Sequence, residues 1–131
     1  MSAIYLDASA FVKLIVQEPE SPALRDFLAG EHGRYISSAL LRTETLRAAD
    51  RHGSHALVAA REALGRIDLV SIDDRILDAA GLLHPEILRS LDAVHVATAL
   101  AIGDDLDVVV TYDQRMIDAS AALGFRTATP L

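Results

Sequence analysis

The sequence predicts an α/β fold built on a mostly parallel sheet. Short β-compatible segments alternate with helical segments along the chain, which is the order that a parallel sheet with crossover helices requires. Residues 4–6 (IYL) and 108–110 (VVV) are apolar without interruption, as expected for strands covered on both faces. Ligands of such sheets bind beyond the carboxyl ends of the strands, so the residues that follow the strands are the first candidates for chemistry.

Apolar and β-branched residues define the predicted strands. The run at residues 108–111 is the strongest because β-branched side chains dominate it, and residues 67–72 alternate apolar with polar side chains. In chain order, the predicted strands are residues 3–6, 35–37, 67–72, 108–111 and 125–128.

Capping residues, glycines and prolines set the ends of the predicted helices. Pro19 and Pro22 separate the first helix from the second, and glycines end most of the others. Ser38, and either Asp73 or Asp74, are good N-caps because their side-chain oxygens can accept from free backbone amides. The predicted helices cover residues 8–17, 23–29, 38–52, 54–64, 73 or 74 to 83, 90–102 and 113–123.

The composition fits one globular domain over residues 1–131 and excludes several classes of function. Hydrophobic residues make up 51% and charged residues 24%, which excludes wholesale disorder. The absence of cysteine excludes a disulfide framework, a thiolate zinc site and a cysteine nucleophile. A net charge of -7 argues against a general phosphate-binding surface. No signal peptide or membrane-length apolar run is visible, so we expect no membrane segment and a cytoplasmic location.

Two acidic residues follow the two most apolar strands. Asp7 comes directly after residues 4–6, and Asp113 comes two residues after the run at 108–111. Because the carboxyl ends of parallel strands meet at one edge of a sheet, both carboxylates should lie at that edge. The structural alternative is that each simply caps the helix that follows it.

Two further acids share the apolar faces of their helices. Glu44 lies four residues from both Leu40 and Ala48, so its carboxylate needs a cation, a hydrogen-bonding network or a proton. An ion pair with an arginine is the structural alternative. Asp92 shares a face with Val96 in the first turn of its helix, where the helix dipole also favours an acid.

These acids can converge at one end of the sheet: Asp7, Glu44, Asp92 and Asp113. Four carboxylates share a small volume only if cations neutralise them, and oxygen ligands without His or Cys suit Mg²⁺ or Mn²⁺. Such a site suits two-metal phosphodiester hydrolysis. A non-catalytic interaction domain and a phosphoryl-transfer domain with Asp7 as acceptor are the alternatives. The second lacks an acid two residues after Asp7, and the sole lysine, Lys13, lies on the first helix.

Four segments of the chain resemble PIN-domain ribonucleases. Residues 4–10 (IYLDASA) resemble the opening motif of that family, and residues 91–99 (LDAVHVATA) resemble the helix of its third acid. Residues 110–115 (VTYDQR) resemble the strand-end motif of the fourth acid. Glu44, within residues 41–46 (LRTETL), matches the second acid in order and on its helix. In length, the chain most resembles VapC-type toxins of bacterial and archaeal toxin–antitoxin pairs.

The resemblance implies a three-layer α/β/α fold and an RNA-cleaving enzyme that uses Mg²⁺ or Mn²⁺. The implied metal-binding acids are Asp7, Glu44, Asp92 and Asp113, and the implied supporting polar residues are Ser9 and Thr111. Toxins of this type II kind are commonly homodimers and are inhibited by an antitoxin from the same operon. The expected partners are therefore RNA, a cognate antitoxin and a second copy of the chain.

Other residues near these motifs have two possible roles. Arg89 and Arg115 border acidic motifs and either contact a phosphate or balance the neighbouring acids. His95, one turn after Asp92, is predicted to pack or form a hydrogen bond rather than to bind a metal. Apolar side chains of the first two helices form either ordinary core or a dimer or antitoxin surface: Val12, Leu14, Ile15, Leu24 and Leu28.

Overall fold

The computed structural model describes residues 2–84 and 88–131. Within them, five strands form a sheet in the order β3-β2-β1-β4-β5, and every neighbouring pair is parallel. The strands are β1 (Ala3–Leu6), β2 (Arg34–Ser38), β3 (Asp68–Val70), β4 (Leu106–Val110) and β5 (Thr127–Ala128). The predicted α/β class is confirmed, and the sheet is parallel throughout.

Helices occupy the connections between the strands. They are α1 (Ala8–Phe11), α2 (Ser21–Ala29), α3 (Leu40–Asp50), α4 (Ser54–Leu64), α5 (Asp74–Gly81), α6 (Ser90–Ile102) and α7 (Gln114–Ala122). Short 3₁₀ turns follow α1 at Val12–Leu14 and α6 at Gly103–Asp105. The bounds of α4 and α6 are those predicted, because a glycine follows each helix directly.

The alternation of side chains along β1 separates two layers of helices. Ile4 and Leu6 pack in one cluster with residues of α1 to α4. Ala3 and Tyr5 point to the other face, where they pack with Ala99 of α6. A further cluster joins α6 to α7. The sheet therefore lies between two layers of helices, which confirms the three-layer prediction.

The start of the chain departs from the prediction at two helix ends. The first helix tightens into a 3₁₀ turn and ends at Leu14 instead of residue 17, because the Ser21 hydroxyl donates to the Lys13 carbonyl at 2.7 Å. The second helix begins at Ser21, two residues early, because Pro22 is tolerated in the first turn, where its missing amide has no helical partner.

The apolar residues of these first helices belong mostly to the core. Leu24 and Leu28 are 0% and 5% exposed, and Leu14 and Ile15 pack against the same cluster. The exposed large apolar side chains lie elsewhere, for example Leu77 on α5 and Leu91 on α6.

The strand order creates a crevice between β1 and β4. From β1 the chain first adds β2 and β3 on one side of the sheet, and it then adds β4 and β5 on the other side. The strand order therefore reverses between β1 and β4. Leu6 pairs with Val110, which brings Asp7 and Thr111 side by side where the two strands end. Open α/β sheets bind their ligands at such a reversal.

None of the helices that residues 2–84 and 88–131 form combines the length and apolar character needed to cross a bilayer.

Candidate metal centre

Three donors hold the carboxylate of Asp7, which is 4% exposed. As the N-cap of α1, Asp7 accepts at Oδ1 from the Ala10 amide at 3.1 Å and from the Ser9 hydroxyl at 2.6 Å. Its Oδ2 accepts from the Thr111 hydroxyl at 2.5 Å. Burial raises the pKa of Asp7, while the hydrogen bonds from Ser9 and Thr111 oppose that rise. Asp7 is thus both a helix cap and a buried acid at the crevice.

The hydroxyls of Ser9 and Thr111 join the end of β1 to the end of β4. Ser9 Oγ accepts from the Tyr112 amide at 2.8 Å, and Thr111 Oγ1 accepts from the Asp113 amide at 3.1 Å. Asp113 in turn caps α7 by accepting from the Arg115 amide at 2.9 Å. Thr111 therefore links the carboxylate of Asp7 to the backbone of Asp113.

Glu44 is held by a buried histidine. The Glu44 side chain is 24% exposed, and its Oε1 lies 2.6 Å from Nε2 of His95, which is 2% exposed. On the other side of the ring, Nδ1 lies 2.6 Å from the hydroxyl of Tyr5. The partner of Glu44 is therefore a histidine, and the arginine ion pair considered from the sequence is wrong. The hydrogen-bonding role predicted for His95 is confirmed.

Asp92 lies in the first turn of α6, where burial and neighbouring charges change its pKa. Burial is the largest cause that raises the pKa of Asp92. The negative charge of Asp113, and to a smaller extent those of Asp7 and Glu44, add to the rise, while His95 opposes it. Across the described residues, no lysine or arginine forms an ion pair with Asp7, Asp92 or Asp113. Of the four acids, Glu44 is therefore paired with His95, while the other three form no ion pair with a lysine or arginine of the described residues.

The carboxylates do not yet form a coordination shell. Within residues 2–84 and 88–131, no three acidic or histidine side chains are grouped so that they could hold a metal ion. Each ionised carboxylate has about four lone-pair sites, and the hydrogen bonds described above leave some of them free. A set of carboxylate oxygens fits a hard divalent ion in its chemistry.

An open cavity of about 410 Å³ gives access to Glu44. Ser9, Tyr112 and Arg51 also contribute to its lining. The ammonium of Lys13 borders the cavity but is bound by Glu18 at 3.2 Å and Glu20 at 3.3 Å. Its positive charge is therefore already balanced.

Arg89 and Arg115 lie where the sequence placed them. Arg89 precedes α6 and Arg115 lies in the first turn of α7, and both are exposed next to the segments of Asp92 and Asp113. The choice between phosphate contact and charge balance stays a prediction.

Comparison with known proteins identifies the fold as that of a PIN domain, since the PIN-domain family model matches residues 4–122. Ribonuclease VapC46 of Mycobacterium tuberculosis (strain ATCC 25618 / H37Rv) is 52% identical over 130 residues, and the match covers 99% of both chains. The chain belongs to the VapC ribonucleases of the PIN-domain family.

Solved structures agree with this fold. The crystal structure of Mycobacterium tuberculosis VapC20, described as a Sarcin-Ricin loop cleaving toxin, matches with a TM-score of 0.78 and 21% identity, covering 97% of this chain and 99% of that one. A toxin–antitoxin complex from Klebsiella pneumoniae matches with a TM-score of 0.75 and 21% identity, covering 99% and 98%.

The family and the three-layer fold predicted from the sequence are confirmed, and the family is one of ribonucleases. Ribonucleases of this family generally use divalent metal ions. The identity of the ion, the four ligands and the homodimer stay predictions.

Sequence reasoning missed the contact between Tyr5 and His95. The signal was present in the alternation along β1, which turns Tyr5 away from Ile4 and Leu6 toward the layer that contains α6. What the sequence could not supply was which residue of α6 lies opposite Tyr5.

Proposed function

We propose that this protein is the endoribonuclease toxin of a type II toxin–antitoxin pair, and that it uses Mg²⁺ or Mn²⁺. The proposed metal ligands are Asp7, Glu44, Asp92 and Asp113. The observation that carries the proposal is the placement of acids where β1 and β4 end and on the adjacent α3 and α6, of which Asp7, Asp92 and Asp113 form no ion pair with a lysine or arginine of the described residues. A divalent cation is the natural counter-charge for such a cluster. The 52% identity to a ribonuclease supports RNA as the substrate.

The proposed mechanism assigns a task to each group of residues. When bound, a divalent cation makes water a stronger nucleophile at neutral pH and offsets the charge that develops on the phosphodiester. The hydroxyls of Ser9 and Thr111 fix the Asp7 carboxylate and oppose the rise in its pKa that burial causes, since hydrogen bonds to a carboxylate favour its charged form. Arg89 and Arg115 are exposed and can steer the RNA backbone locally on an otherwise acidic chain.

The choice of Mg²⁺ or Mn²⁺ follows from the donor atoms. The proposed ligands offer carboxylate oxygens alone, and the nearest histidine, His95, has both ring nitrogens engaged with Tyr5 and Glu44. Hard oxygen donors favour Mg²⁺ and Mn²⁺ over ions that prefer nitrogen or sulfur.

The phosphoryl-transfer alternative fits the geometry less well. The chain has Ser9, and no acid, two residues after Asp7, and the Ser9 hydroxyl donates to the Asp7 carboxylate. The ammonium of Lys13 is bound to Glu18 and Glu20, so no lysine of the described residues is free to stabilise a transferred phosphate.

The expected protein partner is a cognate antitoxin. Structures with the same fold include a toxin–antitoxin complex from Klebsiella pneumoniae, which supports this partner. We also expect a homodimer and a cytoplasmic location, as predicted from the sequence. Exposed leucines such as Leu77 and Leu91 are candidates for buried positions in these assemblies.

Replacement of Asp92 by asparagine tests the proposed activity. Asp92→Asn keeps the shape of the side chain but removes its charge, so we expect Mg²⁺-dependent RNA cleavage to fall by more than about 100-fold. The matched control is Asp78→Asn, which removes an exposed acid on α5 and should cleave like the wild type. Undiminished cleavage by purified Asp92→Asn would contradict the proposal.

A further inference from the structure

A chain of hydrogen bonds leads from the core of the protein to Glu44. Tyr5 is fully buried in the central strand, His95 is 2% exposed on α6, and Glu44 on α3 is 24% exposed at the cavity. The two links measure 2.6 Å each. The rings of Tyr5 and His95 meet edge to face, with centroids 5.8 Å apart and planes at 87°. Three separate elements therefore converge on one carboxylate oxygen.

The partners of the ring fix which nitrogen carries the proton. An ionised carboxylate only accepts hydrogen bonds, so Nε2 of His95 donates to Oε1 of Glu44. In the neutral ring Nδ1 is then an acceptor, and the Tyr5 hydroxyl donates to it. Burial raises the pKa of Tyr5, so its hydroxyl keeps its proton and remains a donor.

We propose that His95, set by Tyr5, is a positioning residue that aims the Glu44 carboxylate at the metal. The Nε2–H donor fixes Oε1 and leaves Oε2 for the cation, which limits the rotation of a long side chain before the ion arrives. This inference rests on the proposed function, because it assumes that Glu44 is a ligand. Groups that orient a metal ligand from behind commonly change metal affinity by about 10–100-fold when they are removed.

A purely structural role would not require this arrangement. The positions around His95 on α6, Ala93 and Val96, are filled by apolar residues of the core. An imidazole among them carries a cost of burial that only its two hydrogen bonds offset. One of those bonds ends on a partly exposed acid at the cavity, so the polar chain serves the site as well as the core.

Two replacements of His95 separate its two nitrogens. His95→Asn keeps an acceptor near the place of Nδ1 for Tyr5 but lacks a donor that reaches Glu44. His95→Gln keeps a donor near the place of Nε2. Val96→Ala is the control, because it opens a cavity at the neighbouring buried position of α6.

The measurement is the dissociation constant for Mn²⁺ of each full-length variant, by titration calorimetry, together with its melting temperature. We expect His95→Asn to bind Mn²⁺ at least about 10-fold more weakly than the wild type, and His95→Gln to regain most of that loss. Val96→Ala should melt earlier yet bind Mn²⁺ as the wild type does. Wild-type affinity in His95→Asn, or equal weakening in Val96→Ala, would overturn the positioning role while leaving the proposed function intact.

Two further readouts keep the test decisive if His95→Asn does not fold. Tyr5→Phe removes only the hydroxyl and should weaken Mn²⁺ binding in the same direction. Nitrogen NMR of the wild-type protein without metal should show His95 protonated at Nε2 and bare at Nδ1. A proton on Nδ1 alone would overturn the proposal. A wild type that binds no Mn²⁺ at all would overturn both this inference and the proposed function.

Discussion

Asp7 and Glu44 approach the same crevice, yet different parts of the chain hold them. Asp7 receives donors from the residues around it, Ser9 and the Ala10 amide, and from Thr111 on the adjacent strand end. Glu44 is held by one donor, His95, from a helix 51 residues further along the chain. Asp7 is buried, whereas Glu44 is partly exposed.

The difference separates a fixed acid from an adjustable one. Three donors and burial leave Asp7 little freedom to rotate. Glu44 has a single anchored oxygen, so its other oxygen can move as a ligand enters. The crevice therefore combines a fixed acid at the end of β1, Asp7, with an acid on α3, Glu44, whose orientation depends on His95.

Removal of the Thr111 hydroxyl should have the largest effect on the hydrogen bonds that hold Asp7. Thr111→Val leaves Oδ2 of Asp7 and the Asp113 amide without this partner, so we expect RNA cleavage to fall about 10–100-fold. The protein should also lose about 1–3 kcal/mol of unfolding free energy, since buried polar groups are left unpaired.

Thr98→Val is the matched control for that experiment. Thr98 is equally buried, but its hydroxyl donates to the Val94 carbonyl of its own helix. We expect cleavage close to the wild-type rate in Thr98→Val, measured under the same conditions. Equal losses in the two valine variants would mean that the hydroxyl of Thr111 has no special relation to Asp7.

A smaller effect concerns Asp92 and the stability of the metal-free protein. The pKa of Asp92 is raised above its ordinary value of 3.8, so folding favours the protonated form. The stability associated with this proton is fully present below about pH 3.8 and is lost as the pH rises through the pKa of the folded state. Asp92→Asn should therefore melt later than the wild type at pH 7 in chelator.

The melting temperatures of the two proteins should converge as the pH approaches 4, because the wild-type carboxyl then becomes neutral as well. Asp78→Asn, at an exposed position, should show no such trend. A wild type that remains the more stable protein at pH 7 without metal would contradict a raised pKa of Asp92 in the folded protein.

The sequence was sufficient for the parts of the fold that depend on local patterns. A run of apolar residues defines β4, and a glycine ends α6. Because both signals are local, the sequence predicts both elements close to their observed positions. The end of the first helix was not predictable in this way, because it depends on the Ser21 hydroxyl reaching back to the Lys13 carbonyl. The periodicity of apolar residues does not predict such contacts between separate segments of the chain.

The candidate site shows the same division. Asp7 and Asp113 follow strands, so a parallel sheet alone predicts that both lie at the same edge of the sheet. Ser9 and Thr111 entered through the resemblance, and their hydrogen bonds to Asp7 give that expectation a physical basis. The partner of Glu44 could not be predicted, because it depends on how α3 and α6 pack around Tyr5.

The most direct test of the proposed metal centre is a crystal structure of the wild-type protein grown with Mn²⁺, with anomalous scattering recorded near the manganese edge. We expect an anomalous peak at the carboxyl end of β1 and β4, with Asp7 and Asp92 among its ligands and Glu44 still bonded to His95. A fully occupied Mn²⁺ peak elsewhere, or none at this edge at saturating Mn²⁺, would contradict the central claim that these acids form the metal centre.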